Sequence, residues 1–63
     1  MPSGIATAEQ LAMMARVLEV YCSTYGVKNT VDRDSVAAHI LELFDLGFQE
    51  EDVLLAELMN RRR

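Results

Sequence analysis

The sequence predicts an all-α domain of three helices, with a long first helix packed against an αα-hairpin made by the other two. Three observations carry this expectation. Apolar residues recur at helical spacing from Leu11 to Tyr25, and again in two shorter runs. Cap and turn residues (Thr7, Gly26, Asp32, Gly47) fall between those runs. Nowhere do four or more residues alternate apolar and polar between turn signals, as a half-buried strand would require.

The first helix is expected over about residues 8–25. Thr7 and Gln10 have the spacing of a capping box, the hydroxyl accepting from the third N–H while the amide reaches back. Gly26 follows the last periodic residue, where a left-handed C′ position costs least without a β-carbon. Leu11, Met14, Leu18, Tyr21 and Tyr25 form one apolar row, and Met13, Val17 and Val20 form a second beside it. Together they exceed the stripe of about 100° that a one-sided surface helix shows. Glu9, Ala12, Arg16, Glu19 and Ser23 are left as the wet face. A helix this apolar calls for partners on two sides.

The second helix is expected over about 33–46, with Asp32 as N-cap and Val31 and Val36 at the two positions of a hydrophobic staple. Its inward face collects Val36, Ala37, Ile40, Leu41, Leu43 and Phe44, and its polar face carries Ser35, Ala38, His39, Glu42 and Asp45. After Gly47 a third helix follows over about 50–61, with Gln49 as N-cap and Phe48 and Val53 as a second staple. Glu50, Glu51 and Asp52 occupy its first turn and Arg61 to Arg63 its end, the order the helix dipole favours. Leu54, Leu55, Leu58 and Met59 point inward. The whole of 1–63 reads as one small domain, with residues 1–6 a loose lead-in and 61–63 a frayed basic end.

At 63 residues the chain is near the lower limit for independent folding. A domain this size buries only about 60% of the surface its unfolded chain exposes. Small domains close that gap with disulfides, metal or oligomerisation. Cys22 is the single cysteine and His39 the single histidine, so neither an intrachain disulfide nor a protein-only Cys/His zinc site can form. With 51% hydrophobic residues, the composition favours oligomerisation. The expectation is a homodimer built on helix 1 through Leu11, Met13, Met14, Val17, Leu18, Val20, Tyr21 and Tyr25. The alternative packing wraps the hairpin around both sides of a lone helix 1.

The formal net charge is −4, and its distribution is uneven. Asp32 to Glu57 contains eight acids and one base, Arg33. An acidic body repels phosphate, which sets nucleic-acid binding at a disadvantage. The N-terminus has neither a basic n-region nor a continuous apolar stretch, and no run approaches a membrane span, so a cytoplasmic protein is expected.

No constellation specifies a reaction. His39 and Glu42 lie three apart on the polar face, but a di-metal bundle needs Glu-x-x-His on two helices and more carboxylates besides. Cys22 sits mid-helix, away from the cation or helix N-terminus that would favour thiolate, and reads as a small buried hydrophobe. Asp32-Arg33-Asp34 opens like a calcium loop, but Val36 and Ala37 then stand where an oxygen ligand and a glycine are needed. No cofactor and no metal is implied.

Leu46-Gly47-Phe48 between two helices is similar to the Met-Gly-Phe/Tyr loop of ubiquitin-associated domains. Those domains carry a further helix after the one that follows the loop, and the likeness covers three residues. In a general way the chain also resembles small bacterial proteins. The function expected is a non-enzymatic helical interaction module that homodimerises through helix 1 and binds another protein on any apolar surface left over. The rival is a nucleic-acid-binding regulator that uses the hairpin as a helix-turn-helix with the terminal arginines. There, Gln49, Glu50, Glu51 and Asp52 would meet the major groove, where acids are unwelcome.

Overall fold

A computed structural model describes residues 6–61. Three helices, α1 (Ala8–Tyr25), α2 (Thr30–Asp45) and α3 (Glu51–Asn60), pack into one globule, each against the other two. No strand occurs among the described residues. The loose lead-in expected over 1–6 lies outside them but for Ala6, as do Arg62 and Arg63 of the expected basic end.

Both signals at the ends of α1 act as expected. Thr7 Oγ1 accepts from Gln10 N–H at 3.1 Å, and Gln10 Oε1 accepts from Thr7 N–H at 2.9 Å. Gly26 has φ 68°, and Val27 N–H donates to Cys22 C=O at 2.9 Å, the bond that closes a Schellman-type cap.

α2 begins earlier than expected. Asn29, not Asp32, is its N-cap, with Oδ1 accepting from Val31 N–H at 2.7 Å and Asp32 N–H at 3.4 Å. Asn and Asp cap about equally well, so starting at Asn29 gains most of a turn at no loss of cap. Val31 consequently falls inside the first turn, 72% exposed, and cannot serve as the outer half of a staple.

The turn between α2 and α3 is longer than the sequence reading gave it. Gln49 does not cap α3; its Nε2 donates back to Phe44 C=O at 3.1 Å, a last-turn carbonyl of α2 that also accepts from Gly47 N–H at 3.1 Å. Glu50 is the N-cap, in extended conformation and with no side-chain cap bond. Gln49 thus displaces Phe48 from the N′ position of a staple. Phe48 packs partly buried against the core, while Val53 stays 44% exposed.

The core is Met13, Met14, Val17 and Tyr21 of α1, Ile40, Leu43 and Phe44 of α2, and Leu54 and Leu58 of α3. Leu55 and Met59 pack partly buried around it, as the inward face of α3 predicts. Leu41 departs from the expected inward face of α2 and is 54% exposed. Two ion pairs tie α1 to the hairpin, Arg16–Glu51 at 3.1 Å to α3 and Glu19–Arg33 at 2.9 Å to α2. Such exposed pairs contribute little to stability, about 0–1 kcal/mol each. Among the described residues, no helix is long and apolar enough to cross a membrane.

Candidate functional site

The eight α1 positions expected at an interface divide by burial. Met13, Met14, Val17 and Tyr21 lie inside the chain's own core, drawn from both apolar rows. The hairpin therefore covers the seam between the rows rather than one row or the other. Leu18 is half-buried, while Leu11, Val20 and Tyr25 are exposed. At 100° per residue Val20 stands on the opposite flank of α1 from Leu11. The Tyr21 and Tyr25 rings meet at 4.8 Å, tilted by 50°.

The Leu11 flank continues onto α2. A groove of about 220 Å³ runs between the two helices, lined by Leu11, Met14, Ala15 and Leu18 on one side and Ala37, Ile40 and Leu41 on the other. Every lining residue is apolar. Leu11 and Leu41, each 54% exposed, rise at its edges over the small side chains of Ala15 and Ala37. Sequence reasoning missed the α2 half, because helical spacing assigns Leu41 to the inward face and says nothing of where a neighbour stops. Beside the groove, Ala8, Leu11, Ala12 and Ala15 form an exposed stripe at i, i+3, i+4, i+7 spacing.

A second and more polar concavity of about 630 Å³ opens between α2 and α3. Its floor is the Tyr21 ring with Val36, Leu43 and Leu58, and its rim carries Asp32, Ser35, His39, Glu42 and Arg61. Asp32, Ser35, His39 and Glu42 share one face of α2 because they follow helical spacing. His39 and Glu42 are both exposed. Among the described residues, no group of three or more His, Cys, Asp or Glu gathers closely enough to hold a metal ion. Cys22 is a free thiol buried in α1, 3% exposed.

The electrostatics of the inter-helix pairs follow from hydrogen bonding. The bond to Glu51, then its charge, holds the Arg16 guanidinium above its already high ordinary pKa. Arg33 is raised chiefly by its bond to Glu19. Both guanidiniums are cationic at any pH the fold meets, so these shifts confer no pH switch.

Comparisons with protein-family models, with curated proteins and with solved structures return no match. The surfaces themselves are therefore the ground for a functional reading. Among the described residues they include an apolar groove between α1 and α2, an acid-rimmed cleft between α2 and α3, and a first turn of α3 that carries Glu51 and Asp52.

Proposed function

We infer that this chain is a non-enzymatic helical interaction module, and that the α1–α2 groove is where it meets a second copy of itself. The observation that carries the reading is the pairing of exposed Leu11 and Leu41 with the shallow floor at Ala15 and Ala37. A two-fold interface must be self-complementary, with projections and recesses in the same patch. Here two leucines project and two alanines recede within one groove. The adjoining Ala8, Ala12 and Ala15 let a second helix approach closely. Of the interface first expected on α1, this reading keeps Leu11, Met14 and Leu18, which line the groove, and adds Leu41 from α2.

The test is molecular mass in solution at micromolar concentration, by sedimentation or light scattering. Leu41→Glu and Leu11→Glu should each reduce a dimer to a monomer with unchanged helical circular dichroism, because a charge would be buried unpaired only in the assembly. A wild-type chain that is monomeric throughout, or variants that keep the wild-type mass, defeats the reading. Val17→Asp is a poorer probe, since Val17 is fully buried in the monomer and the variant would unfold.

Binding of nucleic acid by the hairpin draws no support from the structure. The first turn of α3 carries carboxylates, and Arg61 is engaged with Glu57 at 3.0 Å. A reducing, cytoplasmic setting suits the free thiol of Cys22.

A further inference from the structure

We draw no further inference here: the strongest candidate, the surface patch flanking the α2–α3 turn where Leu46 and Val53 stand exposed, is an unpartnered apolar face, and nothing in the structure shows what covers it.

Discussion

Asn29 holds the start of α2 with a single side-chain oxygen that accepts two backbone N–H groups. Replacing it by alanine leaves those donors to water, and Asn29→Ala should cost about 1 kcal/mol. In a domain of this size that is a fall of about 4–8 °C in Tm by circular dichroism. Asp32→Asn, at the position the sequence favours as cap, should shift stability by less than about 0.5 kcal/mol. The reverse ranking would restore Asp32 as the cap. Sequence reasoning favours Asp32 as the cap and passes over Asn29, three residues earlier and as good a capping residue; periodicity has no means of choosing between them. The choice falls to whether β-branched Thr30 and Val31 are accepted in a first turn, which they are. Cys22 is the opposite case, since its position on the edge of an apolar face already announced a buried thiol.

At the scale of elements, the α2–α3 turn decides how the hairpin is set. Leu46 ends α2 and Gly47 follows at φ 112°. Phe48 N–H then donates to Leu43 C=O at 3.1 Å, and Gln49 returns to Phe44. A β-carbon at Gly47 would meet nothing within 4 Å, so the constraint there is the backbone angle alone. Gly47→Ala should destabilise by about 1–3 kcal/mol, the usual cost of holding an L-residue in such a region. A D-alanine at the same position, introduced by chemical synthesis, should melt close to wild type, because it prefers positive φ. Equal melting of the L- and D-alanine chains would show that the angle is not what matters. The helices and their order were plain in the sequence, as was the stop at Gly47. The length of the turn was not, because Gln49 has the spacing of a cap for α3 yet spends its amide on the helix behind it.

For the molecule as a whole, stability rests on a few side chains shared by three helices. Typical domains have roughly 0.05–0.15 kcal/mol of stability per residue, which leaves a chain this short only a few kcal/mol. Leu54 is fully buried, and Leu54→Ala should remove about 2–5 kcal/mol. Circular dichroism should therefore show a substantially unfolded population at room temperature, and retention of a wild-type melt would mean the site collapses around the gap. The core members on α2 and α3 were legible from apolar spacing; on α1 spacing marked two apolar rows but not that Met13, Met14, Val17 and Tyr21 are the members facing the hairpin. What spacing could not reveal was coverage: Leu41 and Leu43 look alike in sequence, yet one is 54% exposed and the other 2%. The difference lies in how far α1 reaches around α2, a property of crossing helices rather than of either strip of residues.

The pairs Arg16–Glu51, Arg33–Glu19 and Arg61–Glu57 have a consequence that reaches beyond one molecule. They occupy every described arginine, leaving Lys28 as the remaining described Lys or Arg against a majority of uncompensated carboxylates. Two such particles drifting together in a dilute buffer repel, and mobile ions damp that repulsion over about 8 Å at physiological strength. Self-assembly of this protein should accordingly tighten on adding sodium chloride, the reverse of the trend for a ligand of phosphate backbones.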